Sequence, residues 1–135
     1  MIERRRSKIQ GWGVYATTAI SKNKRIINYA GEKISNQESL KREARYIKKG
    51  HIWCFKLTNR TVIDAGVGGN VARFINHACK PNCWIELDVK NLMIWIRASR
   101  TIRKPPLFNN LFLPLSISNC LLTHFAHALK HARAN

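Results

Sequence analysis

From His51 to Ala98 the apolar residues come only in short runs, 52–57, 61–63, 84–89 and 92–98, with polar turn pairs between them. Nothing else in the sequence constrains the fold as strongly. Runs of about five or six residues suit strands and fall short of an ordinary helix, so this half of the chain is predicted to build small sheets. Asn59-Arg60 and Lys90-Asn91 are the turn candidates, and the second reads as a hairpin, WIELDV then KN then LMIWIRA. Upstream, 14–20 and 25–29 read as two further strands around the polar stretch 21–24. One helix is predicted, over 36–49. Ser35 and Glu38 fit a reciprocal capping box, Leu40, Ala44 and Ile47 recur at helical spacing, Lys and Arg crowd the outer face, and Gly50 is the stop. Gly66, Gly68 and Gly69 lead into one short helical turn at 70–75. The fold class expected is mostly β with one clear helix.

At 135 residues and 45% hydrophobic content the chain supports one packed core and leaves no room for a second. Its formal charge is +17, from 24 Lys and Arg against 7 Asp and Glu. Such an excess attracts phosphates and acidic surfaces, so nucleic acid, chromatin or an anionic membrane surface would respond to it. A solvated basic surface with no dedicated partner fits the same number. Against a plain nucleic-acid binder, aromatic residues are not interleaved with Lys and Arg along the sequence as a stacking platform. The N-terminus lacks the apolar core of a signal peptide. The greasiest stretch, 107–129, is broken by Asn, Pro, Ser and His, so no membrane span is expected. Four scattered cysteines fit a reducing, intracellular compartment.

The basic charge is unevenly placed. Residues 1–104 carry 22 of the 24 Lys and Arg and every acid, whereas 105–135 open on Pro105-Pro106 and hold only Lys130 and Arg133. A domain over 1–104 followed by an atypical extension over 105–135 is therefore expected.

Four segments follow one another in fixed order: Gln10-Gly11-Trp12-Gly13-Val14-Tyr15, then Tyr29-Ala30-Gly31-Glu32, then Ile63-Asp64-Ala65, then the run Gly69 to Cys83 containing ARFINHACKPNC. Each is unremarkable alone; the series resembles the SET-domain family of protein lysine methyltransferases over about residues 4–104. The resemblance implies a β-clip fold of small sheets, in which a C-terminal segment threads under a loop as a pseudoknot. It also implies S-adenosylmethionine as methyl donor and a protein lysine as acceptor, histones being the usual target class, with donor and lysine meeting in a narrow channel.

Carried over residue by residue, Gln10, Gly11, Trp12 and Gly13 would form one wall for the cofactor, and Asn76 and His77 would bind its amino-acid and adenine portions. Arg73 and Phe74 would brace that turn. Trp53 falls where many relatives have a tyrosine touching both cofactor and lysine channel. Tyr29, Trp53 and Phe74 would line the channel, with Tyr29 the best remaining catalytic hydroxyl. Asp64 would order its loop. Cys79 joins a structural zinc in several relatives, with three cysteines that follow the domain. No CxC or CxxC follows here and Cys120 stands alone, so a buried free thiol is expected, and a zinc ligand only if partners come from elsewhere.

The pattern breaks after Lys104. The family continues with a Gly-Glu-Glu-like turn and a strand ending in aromatic-Asp-Tyr, the principal catalytic hydroxyl and the pseudoknot segment. This chain has Pro105-Pro106 there, and its only tyrosines are Tyr15, Tyr29 and Tyr46. The pseudoknot segment is expected to be missing and methyl transfer to be impaired or lost. Phe108, Phe112 or Phe125 can fill space, but a phenyl ring lends no hydroxyl. A non-catalytic basic module for chromatin or nucleic acid is the competing function. The expected location is the nucleus or chromatin in a eukaryote, and the cytoplasm or a host cell for a bacterial protein.

Overall fold

The computed structural model describes residues 1–8, 11–103 and 110–114. Ten short strands make four small sheets around one α-helix. β1 (Ile2–Arg6) pairs antiparallel with β2 (Trp12–Ala16). β3 (Arg25–Asn28), β9 (Met93–Ala98) and β8 (Cys83–Asp88) form one antiparallel sheet in the order β3-β9-β8, and β4 (Glu32–Ile34), β6 (Val62–Asp64) and β5 (Cys54–Lys56) form another in the order β4-β6-β5. A 3-10 turn (Val71–Phe74) leads into β7 (Asn76–Ala78), which pairs parallel with β10 (Phe112–Pro114). The helix α1 runs Asn36–Lys48. Mostly β with one helix is what the short apolar runs demanded.

The core follows from the alternation of the strands. Along β9 the inward positions Ile94, Ile96 and Ala98 are all but fully buried, and they share one core cluster with Val14, Ile20 and Leu111, which are fully buried as well. The β8–β9 connection is longer than its sequence suggests. Asp88 pairs with Met93, so four residues make the turn, and the Asp88 carboxylate accepts from both the Asn91 backbone and its side-chain amide. That local bond sets the strand ends in preference to a two-residue Lys90-Asn91 turn.

The helix begins and ends as its signals require: the Ser35 hydroxyl accepts from the Glu38 amide at 3.2 Å, and Gly50 stands at φ +77°. Two details differ from expectation. Glu38 does not reach back to Ser35 but pairs with Arg42 at 2.9 Å one turn on. More consequentially, the apolar stripe is not the inner face. Leu40 is 58% exposed, Ala44 is exposed and Ile47 half-buried, whereas Ser39 and Glu43 are buried. The cause is Asp64 at the end of β6. It is fully buried, and a buried carboxylate must be surrounded by donors. Arg42 (2.9 Å) and Tyr46 (2.8 Å) both donate to its Oδ2, and the Gly66 amide (2.8 Å) to its Oδ1. The polar side of α1 is thereby turned onto the sheet. Asp64 and burial together push the Tyr46 hydroxyl up to about 12, burial contributing most.

Glu43 is caught in this arrangement. Its Oε1 is buried with no hydrogen-bond partner, and burial, aided by the charge of Asp64, pushes its carboxyl up to about 7. The folded chain thus holds this proton more tightly than the unfolded chain does. Stability from this group is full below its ordinary value of 4.5 and declines as pH rises towards 7. Glu43→Gln should remove that slope and melt at higher temperature than the parent at about pH 8, with little difference at about pH 4. Melting curves at the two pH values check this.

Candidate functional site

The site is assembled where β2, the 3-10 turn and β7 converge. Asn70 caps the 3-10 turn, its side-chain oxygen accepting from the Ala72 amide at 3.1 Å while its Nδ2 donates to the Asn28 carbonyl at 2.9 Å. The turn delivers Asn76 beside the Gly11–Gly13 segment, and Asn76 Nδ2 donates to the Trp12 carbonyl at 3.2 Å. A side chain at Gly13 would crowd this joint, since a Cβ there would sit 3.3 Å from Asn76 Nδ2 and 3.2 Å from Asn110 Oδ1.

A cavity of about 340 Å³ opens here. Gly11 and Trp12 form one wall and Arg73 to His77 another; Lys49, Gly50, His51, Ile52 and Trp53 close a third. The sequence analysis placed Gly11, Trp12, Trp53, Arg73, Phe74, Asn76 and His77 at this site, and the structure brings all seven to the one cavity. Gly13 lies directly behind the wall, and Gln10 lies outside the described residues. The third wall was not anticipated apart from Trp53. It is the end of α1 and the loop into β5, where the only sequence signal was the helix stop at Gly50.

The cavity is rich in rings and cations. Arg4 stacks over Trp12 (4.2 Å) and Phe74 (4.9 Å), Arg6 over Trp12 (4.3 Å), and Arg73 over Phe74 (4.8 Å) and Trp53 (5.1 Å). His51 stacks on Trp53 at 4.1 Å, 8° from parallel. Folding therefore adds cation–ring contacts between distant parts of the sequence, Arg4 with Phe74 and Arg73 with Trp53, to those between near neighbours. Burial lowers the His77 pKa and, with the charges of Arg73 and Lys49, that of His51, so both imidazoles favour the neutral form at neutral pH. Arg73 Nε is buried without an acceptor.

Tyr29 stands apart. Its buried hydroxyl donates to the Trp53 carbonyl at 2.9 Å, which also accepts from the Ala65 amide at 3.0 Å, and Tyr29 is not among the residues lining the cavity. Cys79 is exposed in the bend after β7, not a buried thiol; Cys83, at the start of β8, is the buried one, and its thiol is pushed up to about 12 by burial. Among the described residues no three His, Cys, Asp or Glu side chains gather to hold a metal. Cys120 lies outside the described residues.

Behind the site runs β10, which the sequence did not signal. Leu111 N donates to the Val14 carbonyl at 2.8 Å, Asn82 Nδ2 donates to the Asn110 carbonyl at 2.8 Å, and Phe112 N donates to Asn82 Oδ1 at 2.8 Å. Leu111 and Leu113 are buried. The described part of the stretch assigned to an atypical extension is thus a core strand, in register with Asn76 through Phe112. Most of 105–135 lies outside the described residues. No helix among the described residues is long and apolar enough to cross a membrane.

The SET domain profile matches residues 11–105. The histone-lysine N-methyltransferase, H3 lysine-4 specific, of Emericella nidulans is 50% identical over 84 residues, 61% of this chain and 7% of that protein. The protein of the same description from Saccharomyces cerevisiae is 46% identical over 84 residues, 61% of this chain and 8% of its own length. The histone-lysine N-methyltransferase set-2 of Caenorhabditis elegans is 39% identical over 110 residues, 77% of this chain and 7% of its own. The chain thus spans less than a tenth of these relatives. Among solved structures, one chain of a humanized mutant of the Chaetomium thermophilum Polycomb Repressive Complex 2, bound to the inhibitor GSK126, superposes with a TM-score of 0.71 at 27% identity, covering 86% of this chain and 15% of that one. With a profile match across most of its length and the matching fold, the chain belongs to the SET-domain family.

Proposed function

We propose that this chain is a SET-type protein-lysine N-methyltransferase domain that binds S-adenosylmethionine in the cavity and accepts a lysine of a histone-like protein, with transfer impaired by the lack of a C-terminal tyrosine. The observation that carries this reading is the single cavity shared by Gly11, Trp12, Trp53, Arg73, Asn76 and His77. Its chemistry suits an adenosyl amino acid. About 340 Å³ is within the ordinary range of ligand pockets, flat rings are at hand for a purine, and the unpaired Nε of Arg73 is a donor for a carboxylate. When bound, S-adenosylmethionine supplies the methyl group.

The chain's own contribution is placement and desolvation. Methyl transfer is an in-line displacement, so alignment at near-attack distance supplies much of the rate. The incoming lysine must be neutral, against a reference pKa of about 10.4. The rings of Trp53 and Phe74, with Arg73 stacked on both, make surroundings that disfavour its charged form. Tyr29 is a positioning residue, holding the Trp53 carbonyl. Phe112, beside Asn76, presents no hydroxyl. A specific observation favours the second reading, a non-catalytic basic module for chromatin or nucleic acid: no tyrosine follows Tyr46, and the Tyr29 hydroxyl is engaged with Trp53. Both readings put the chain in the nucleus, at chromatin.

Calorimetric titration of the chain with S-adenosylmethionine, followed by methyl transfer to histones, tests the proposal. Saturable one-to-one binding with slow transfer is expected. A folded chain that takes up no S-adenosylmethionine overturns it.

A further inference from the structure

We propose that Arg4 is a positioning residue for S-adenosylmethionine: although it lies outside the cavity, its guanidinium clamps two of the cavity walls together. The inference rests on the methyltransferase reading and concerns the same site. β1 carries three consecutive arginines, and strand alternation sends Arg4 and Arg6 to one face and Arg5 to the other. Arg6 stands opposite Trp12 in the antiparallel register, and Arg4 is the diagonal neighbour of Trp12, within reach of a long side chain. β1 also touches the 3-10 turn that carries Phe74. The Arg4 guanidinium accordingly lies 4.2 Å from the ring centre of Trp12 and 4.9 Å from that of Phe74.

Those two rings belong to different walls, Trp12 to the first and Phe74 to the second. Arg73 repeats the device between Phe74 and Trp53, at 4.8 and 5.1 Å, so two guanidiniums join all three walls. Arg73 lines the cavity; Arg4 does not, and it is exposed. No carboxylate among the described residues forms an ion pair with Arg4, which leaves the two rings as its anchorage. Walls that are ordered before the ligand arrives need not be ordered by it, and affinity rises accordingly. The effect is reciprocal: a clamp that favours the ligand is itself tightened when the ligand binds. Charge alone would act in the opposite direction. S-adenosylmethionine carries a net positive charge, so a nearby cation repels it, and removing that cation would tighten binding. A clamp therefore differs from a mere surface charge in the sign of its effect.

The test uses the full chain, titrated calorimetrically with S-adenosylmethionine. Arg4→Met, which keeps the length and loses the cation, should bind roughly tenfold more weakly than the parent, the scale of two exposed cation–ring contacts. Arg4→Lys keeps a cation over the rings and should stay within about threefold of the parent. Arg5→Met removes the same charge from the other face, where Arg5 meets Glu3 and Tyr15, and should bind as the parent does. Hydrogen exchange supplies a second readout. In the free chain, amides of the first two walls should exchange faster in Arg4→Met than in Arg4→Lys, and S-adenosylmethionine should slow exchange along β1 of the parent. Arg4 is exposed on a strand with one neighbour, so every variant should keep the parent's circular dichroism. Arg4→Met binding as tightly as the parent or tighter, Arg4→Lys binding as weakly as Arg4→Met, Arg5→Met equally weakened, or exchange along β1 indifferent to the ligand would each overturn the role of Arg4 while leaving the methyltransferase reading intact. A parent that takes up no S-adenosylmethionine overturns both.

Discussion

Asn76→Ala is expected to abolish saturable binding of S-adenosylmethionine while leaving the chain folded. The amide of Asn76 ties β7 to the opposite wall, donating to the Trp12 carbonyl, and the residue itself lines the cavity. Removing it does two things. It deletes a polar contact available to the ligand, worth about 1.5–3 kcal/mol where the ligand group is charged. It also frees the Gly11–Trp12 wall, so the cavity must be reordered each time a ligand enters. Together these amount to a loss of well over tenfold, beyond the reach of a calorimetric titration at ordinary concentrations. The cost to folding should be only about 1 kcal/mol, the net worth of one hydrogen bond of 3.2 Å at a half-buried position. Unchanged binding by the variant would mean that the cavity has been assigned to the wrong ligand.

The second large effect concerns stability. Leu111→Ala should destabilise the fold by about 2–5 kcal/mol, the usual cost of emptying a leucine site in a core. Leu111 has no exposure at all, and its backbone amide is tied to Val14 in the centre of β2. Domains of this size are stable by only about 5–15 kcal/mol, so the variant should show a much lower urea midpoint. Val89→Ala is the matched control: Val89 is 53% exposed in the β8–β9 turn, and its change should stay within about 0.5 kcal/mol. Equal midpoints for the two would show that Leu111 contributes nothing to the core.

How much of this was readable in the sequence depends on the range of the interaction concerned. The stretch from Gly69 to Cys83 was legible because it concentrates a cap and a turn locally, and four of the seven cavity residues named from the sequence, Arg73, Phe74, Asn76 and His77, lie in it. The hairpin was legible in its strands and missed in its turn, where one Asp88 side chain outweighed the dipeptide. The orientation of α1 was not legible, since the decisive group, Asp64, is distant in sequence and acts only once it is buried. Four strands, β1, β4, β7 and β10, were not foreseen from the sequence. β1 is an edge strand of charged residues, IERRR, with no alternation to detect. β10 has the unpromising sequence FLP and becomes a strand because Asn82 supplies both a donor and an acceptor to its flank. Stacking of Arg4 on Phe74 and of Arg73 on Trp53 belongs to the same class, because those partners meet only in the folded chain.

The bond from Leu111 to Val14 also has a bearing on how the protein is made. It joins the first hairpin to the last described strand, so the core is sealed by residues that leave the ribosome after nearly everything they touch. Until then β2 and β7 each lack a neighbour, and the walls of the cavity are held together only from one side. Closing such a distant contact is slow compared with forming the β8–β9 hairpin. A nascent chain halted before residue 110 should therefore present exposed strand edges to chaperones, and competence to bind a ligand should arrive in a single late step of synthesis.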